Sequence, residues 1–230
     1  MVEYELGDGV ATITMDDGRA NALSPDMQEA IGAALDRAAA DAAAVVLAGR
    51  EGRFSAGFDL SVMSAGGQAV VDMVIGGFDL SLRLLEWPRP VVVACTGHAM
   101  AMGAFLLLSA DERIGADGPF KIAANEVAIG MTMPHTAVAL MRMRLTPPAF
   151  QRSAILAETF DLAGAVTAGY LDRLVAPDAV VATARERAVA LLALDAQAHR
   201  DTKARVRAIG LDEMSAAKDV DRAELSSLFG

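Results

Sequence analysis

Residues 90–111, PVVVACTGHAMAMGAFLLLSAD, carry no Asp, Glu, Lys or Arg before the closing Asp111. Val91-Val92-Val93 is β-branched and apolar without alternation, the pattern of a strand buried on both faces. Thr96-Gly97 breaks it. Small residues then lead through Met102-Gly103 into Ala104-Phe105-Leu106-Leu107-Leu108, read as a buried helix. A tight strand-to-helix turn leaves the first backbone N–H groups of the helix without intrahelical partners. They lie at the positive end of the helix dipole, where an anion or a developing oxyanion can be received. About twenty uncharged residues could also span a bilayer. The β-branched start and the interruptions at Thr96, Gly97, His98 and Gly103 point instead to strand, turn and helix. A second segment, REGRFSAGFDL over 50–60, repeats the arrangement after the apolar run 44–48. The two turns are expected to face one pocket, with Ala56 and Gly57 letting a ligand carbonyl reach the Ala56 N–H.

Outward from these turns, residues 2–15 read as a hairpin around Gly7-Asp8-Gly9. Ser24 is a fitting N-cap, with Pro25 at the first position of a helix. A further helix runs from about Val70 to Glu86, stopped by Pro88 and Pro90. Phe120 to Ile122 and Leu171 to Val175 read as short strands. Helices are expected near 136–144, 147–157, 161–169, 178–198, 199–209 and 212–228. Strand, loop and helix recur about three times before a helical tail, so the fold class is α/β.

The 230 residues suit one sizeable core, taken as 1–195, with a C-terminal helical region over 196–230. A formal charge of −10 argues against nucleic acid as a partner. The N-terminus lacks the basic and apolar regions of a secretory signal, and Cys95 is the single cysteine, which suits a cytoplasmic protein. No membrane partner is expected. No dinucleotide fingerprint, P-loop, GxSxG elbow or zinc-ligand spacing is present, so no metal or cofactor is expected.

Chemistry therefore has to come from backbone donors and a carboxylate. Glu126 stands alone within the otherwise uncharged stretch 122–135. A carboxylate in an apolar pocket has raised proton affinity and can exchange protons near neutrality; a solvated loop position is the plainer alternative. His98 and His135 read as packing or surface residues, and Asp59 as the cap of the helix that follows it. Met100, Met102, Met131 and Met133 suit an adaptable apolar wall.

NAL at 21–23, FSAGFDL at 54–60, GHAMAMGAFLLLSAD at 97–111, NEVAIGMTMP at 125–134 and AETFDLAGAVTAGYLDRLV at 157–175 occur in the order seen in the crotonase superfamily. The chain resembles its bacterial enoyl-CoA hydratase/isomerase members. The resemblance implies a spiral of ββα repeats, a C-terminal helical trimerisation region, and a homotrimer or dimer of trimers. It implies a coenzyme A thioester as substrate, with the N–H groups of Ala56 and Met102 forming an oxyanion hole beside Gly57 and Gly103. Ala22, Leu23, Phe58, Asp59 and Leu60 would line the ligand path. Arg19, Arg53 and Lys203 would be candidate phosphate contacts.

The departures bear on the reaction. Hydratases of the family use two glutamates to activate water. Glu126 matches the second, while Phe105 stands where the first is expected. One glutamate beside an oxyanion hole can move a proton between two carbons, which is Δ3,Δ2-enoyl-CoA isomerisation. His135, following Pro134 on a loop one residue longer than usual, could instead replace the missing carboxylate. Serine peptidases of this fold carry a nucleophile where this chain has Ala101, so peptide hydrolysis has no mechanism here. A non-catalytic acyl-CoA binder is the alternative function. The chain also ends early for the family, which leaves the usual C-terminal contact over the acyl pocket open.

Overall fold

The computed structural model describes residues 1–229; Gly230, the end of the expected helical region, lies outside the described residues. The chain opens with β1 (Val2–Gly7) and β2 (Val10–Met15), paired antiparallel, then β3 (Ala22–Leu23) and α1 (Pro25–Ala40). Ser24 caps α1, its hydroxyl accepting from the Met27 N–H at 3.2 Å. Next come β4 (Ala44–Ala48), β5 (Gly52–Ser55), β6 (Gly57–Phe58), α2 (Leu60–Ala65) and α3 (Gln68–Leu85). The following unit is β7 (Val91–Cys95), β8 (Gly97–Met100) and α4 (Met102–Leu108). After it run β9 (Glu112–Ala116), β10 (Ile122–Ala123), a 3-10 turn at Val127–Ile129 and α5 (His135–Arg144). The rest is α6 (Pro147–Leu156), α7 (Leu162–Ala168), β11 (Arg173–Val175), α8 (Val180–Leu191) and α9 (Ala196–Phe229).

The strands sort into layers by their place in each repeat. β1, β2, β4, β7, β9 and β11 form one sheet in that order, parallel beyond the first pair. The second strands of three units, β5, β8 and β10, form a separate parallel sheet, and β3 pairs with β6. Each repeat thus sends one strand to each layer before its helix, which is the spiral the resemblance implies. The run 97–100, read from sequence as a connection, is the second strand of its unit. Its alternating burial had no apolar periodicity to announce it.

The large sheet is covered on both sides, which explains its uninterrupted apolar strands. Val45, Leu47, Val91 and Val93 join the main core, while Val46, Ala48, Val92 and Ala94 pack on the other face beneath Val180, Ala184 and Ala188 of α8.

The C-terminal third corrects the sequence reading. α8 ends at Leu191, and the two helices expected after it are one helix of 34 residues, α9. Gly210, a poor helix former, stands in the gap between the two expected helices. It is instead the point where α9 crosses α5, since a Cβ there would lie 2.3 Å from the Met143 sulfur. Close packing outweighs the roughly 1 kcal/mol propensity cost.

Asp111 anchors α9 to the layered core. Its carboxylate accepts from the Val91 N–H (2.8 Å), the Lys203 ammonium (2.8 Å) and the Arg207 guanidinium (2.7 Å). Lys203 and Arg207 are both nine-tenths buried. Lys203 is therefore committed to this anchor, and to the Arg89 carbonyl, rather than to a coenzyme phosphate. Asp111→Ala would leave two buried cations without their carboxylate, and should lower stability by about 3–5 kcal/mol. Denaturant unfolding followed by circular dichroism measures this; a loss below about 1 kcal/mol would contradict the anchoring role.

Candidate active site

The two glycine turns meet. Gly57 has φ +89°, and a Cβ there would lie 2.8 Å from the Ala101 Cβ and 2.9 Å from the Met100 carbonyl oxygen. On the other side, a Cβ on Gly103 would lie 2.6 Å from the Ser55 carbonyl oxygen. Each glycine is what lets the opposite backbone approach. Between them Ala101 adopts φ +49°, a conformation costing an alanine about 1–3 kcal/mol. The turn is held by the Ala101 N–H donating to Ala123 O at 2.8 Å, while Ala101 O accepts from Ala104 and Phe105.

Among the described residues the Met102 N–H, at the first position of α4, has no hydrogen-bond partner. It is the donor expected from sequence. Ala56 is not its equivalent: its N–H donates to the Ala20 carbonyl at 3.0 Å. The neighbouring Gly57 N–H is also engaged, donating to Ser55 Oγ at 3.2 Å. The cause is the pairing of 20–23 with 56–58, which sequence spacing did not reveal. Ala56 stays on the wall of the site without supplying a free donor.

Above this junction lies a cavity of about 850 Å³. Ala22, Ala56, Phe58, Asp59, Leu60, Phe105 and Pro134 line it, as expected. Asp59 is also the cap of α2, accepting from the Ser61 and Val62 N–H groups. Leu23 lies in the core with no exposure and is absent from the cavity wall. Gly57 and Gly103 support the wall from behind, and the Met102 side chain is buried in the core. Arg19 and Arg53 are exposed on the surface, Arg19 next to the lining residue Ala20.

Glu126 sits in this cavity with 4% of its surface exposed, and its Oε2 is buried without a partner. Burial pushes its carboxyl up to about 7. Phe105, from α4, lines the same cavity and stacks on Phe78, with ring centroids 6.0 Å apart. No second carboxylate therefore comes from α4.

His135 does not reach the cavity. Its ring is 55% exposed and lies 3.4 Å from Glu224 on α9. Its backbone N–H and that of Thr136 start α5, and both donate to Asp221 at 2.7 and 2.8 Å; the Thr136 hydroxyl adds a third bond at 2.6 Å. Asp221 thus satisfies the helix start, and that fixes the His135 ring on the outside. α9 also supplies a wall that sequence reasoning left open: Leu225, Leu228 and Phe229 line the cavity, 99 or more residues from Glu126. Their spacing marks one helical face, but nothing local says which surface that face covers.

A sequence profile described as "Enoyl-CoA hydratase/isomerase" matches residues 5–229. The chain belongs to the enoyl-CoA hydratase/isomerase family. Among solved structures it is similar to an enoyl-CoA hydratase of Mycobacterium marinum, with a TM-score of 0.94 and 46% identity, covering 100% of this chain and 99% of that one. A Mycobacterium tuberculosis protein is equally near, with a TM-score of 0.93 and 47% identity over 97% and 98% of the two chains; one structure of it carries an isomerase name and another the name of a probable enoyl-CoA hydratase. A Thermus thermophilus relative carrying a hydratase name is 35% identical over 148 residues, which is 62% of this chain and 58% of that protein. The family's crotonase fold is the one described above, and the relatives carry hydratase, isomerase and dehydratase names.

The unpartnered carboxylate has a cost in stability. Because Glu126 holds its proton to about pH 7 in the folded chain and only to about 4.5 when unfolded, the folded state binds more protons between those values. Stability from this group therefore falls as pH rises through that window. Glu126→Gln removes the ionisation and should raise stability at pH 8 by up to about 3 kcal/mol, with no gain at pH 4. Thermal unfolding at the two pH values measures it; an equal change at both would contradict the assignment.

Proposed function

We propose that this protein is a Δ3,Δ2-enoyl-CoA isomerase in which Glu126 is the only proton carrier. The supporting observation is that, among the described residues, Glu126 is the one buried carboxylate in the cavity without a partner, with Phe105 where a water-holding glutamate would be needed. Asp221 is committed to the start of α5, and Glu224 faces His135 at the exposed rim.

Ionised Glu126 takes a proton from C2 of a 3-enoyl thioester. The electron pair moves into the conjugated enolate, whose oxygen is received by the Met102 N–H at the end of α4. Protonated Glu126 then returns the proton to C4, and the double bond stands between C2 and C3. One carboxyl serves both steps because its proton affinity lies near neutrality. The apolar wall from Phe58, Phe105, Leu225 and Phe229 keeps water from competing for the enolate. A non-catalytic binder gives no reason to hold an unpaired carboxylate in such a wall. The substrate is a coenzyme A thioester and no further cofactor takes part. A homotrimer or dimer of trimers in the cytoplasm completes the proposal.

Paired assays test it, one with 3-enoyl-CoA and one with trans-2-enoyl-CoA in water. Conjugated enoyl absorbance should appear from the first and persist with the second. Glu126→Gln should lower turnover by about 10²–10⁴-fold. His135→Ala should leave it unchanged, because the ring lies outside the cavity. The isomerase kcat/KM should climb with pH and level off above about 7, as free Glu126 ionises. Rapid loss of absorbance from trans-2-enoyl-CoA would establish hydration instead.

A further inference from the structure

A second cavity, of about 460 Å³, opens at the far end of α4 from Met102 and shares no lining residue with the acyl cavity. Its wall holds Arg144, Lys203 and Arg207 against two carboxylates, Asp111 and Asp195. Asp111 alone neutralises both Lys203 and Arg207. Asp195 caps the start of α9, accepting from the Ala198 N–H at 2.7 Å. Behind the wall, the Arg113 charge is met by Asp172. Among the described residues Arg144 has no carboxylate partner. One nitrogen of its fork donates to the Ala110 carbonyl at 2.6 Å, and its Nε is buried without a partner. His199, on the same wall, likewise has a buried Nδ1 with no partner. In a chain of net charge −10, this is a local excess of cations in a concave, partly desolvated place.

Capping of helix ends explains part of the cluster. The Leu85 carbonyl, at the end of α3, and the Ala110 carbonyl, just past α4, accept from Arg207 and Arg144, which suits the negative end of a helix dipole. It does not explain the Arg144 guanidinium, which no carboxylate of the described residues contacts directly, or the idle His199 nitrogen. Burial, with Arg113 and Arg207 nearby, pushes Arg144 down to about 9 against the opposing pull of Asp172 and Asp111. An arginine does not shed its proton in practice, so a bound anion is what would relieve this repulsion. Planar guanidinium forks suit phosphate-class oxyanions.

We propose that the cavity at the end of α4 is an oxyanion site that takes a phosphate-class group, with Arg144 and His199 as its donors. The site is independent of the acyl cavity and of the reaction assigned to it.

Calorimetric titration of the full chain with inorganic phosphate, at constant ionic strength against sodium chloride, tests the proposal. One saturable site is expected, and Arg144→Gln should weaken its Kd about tenfold or more, the effect of losing a charged hydrogen bond. Turnover of acyl-CoA should be unchanged in that variant, which shows that it folds. His199→Ala gives a second route to the same answer should Arg144→Gln unfold. Absence of saturable heat, or an equal Kd in the wild type and both variants, would overturn the proposal. So would saturable binding seen only where sedimentation shows dissociated monomers, since a second copy would then cover the cavity in the assembled protein.

Discussion

Everything in the acyl site depends on the close approach of two backbone turns. Gly57 and Gly103 remove the side chains that would otherwise hold the 54–58 strand away from the 100–103 turn. The turns come from successive repeats of the spiral, so their contact is also the contact between layers. Loss of either glycine would separate the Met102 donor from the wall carrying Ala56 and Phe58. Ala101 is held in a conformation unfavourable to alanine at the same point. Strain of this kind persists only where the surroundings over-determine the chain, and here strands β8 and β10 do so.

The site is built from unequal materials. The donor proposed for the oxyanion, the Met102 N–H, is backbone, positioned by packing and insensitive to side-chain identity. The proposed proton carrier, Glu126, is a single side chain whose raised proton affinity comes from burial. Phe105 contributes by what it withholds: an apolar ring in place of a second carboxylate leaves nothing on α4 to hold a water molecule. The same desolvation that makes Glu126 useful near neutrality makes it a burden on stability, a common relation between activity and stability at enzyme sites.

α9 joins the two ends of the molecule. Near its start, Lys203 and Arg207 bind Asp111 beneath the layered core. Near its end, Asp221 caps α5, and Leu225, Leu228 and Phe229 close the acyl cavity. A single unbroken helix therefore links the cavity wall to an anchor at the opposite side of α4. Its passage over α5 needs Gly210, which stands in the gap between the two helices expected from sequence.

The layered α/β order, the two glycine turns, the strands buried on both faces and the isolated Glu126 were legible from sequence, because each rests on short-range pattern: apolar runs, glycine placement and charge gaps. The order of five motifs, rather than any one of them, carried the family. Other features were decided only by tertiary structure. The Ala56 N–H is lost to Ala20 through pairing across more than thirty residues. His135 is turned outward by Asp221, 86 residues later. Lys203 is taken by Asp111, and α9 runs unbroken through Gly210. In each case a local preference was weaker than a contact formed only when distant segments packed together. Sequence determines which groups are able to do chemistry; the packing decides which of them are free to do it.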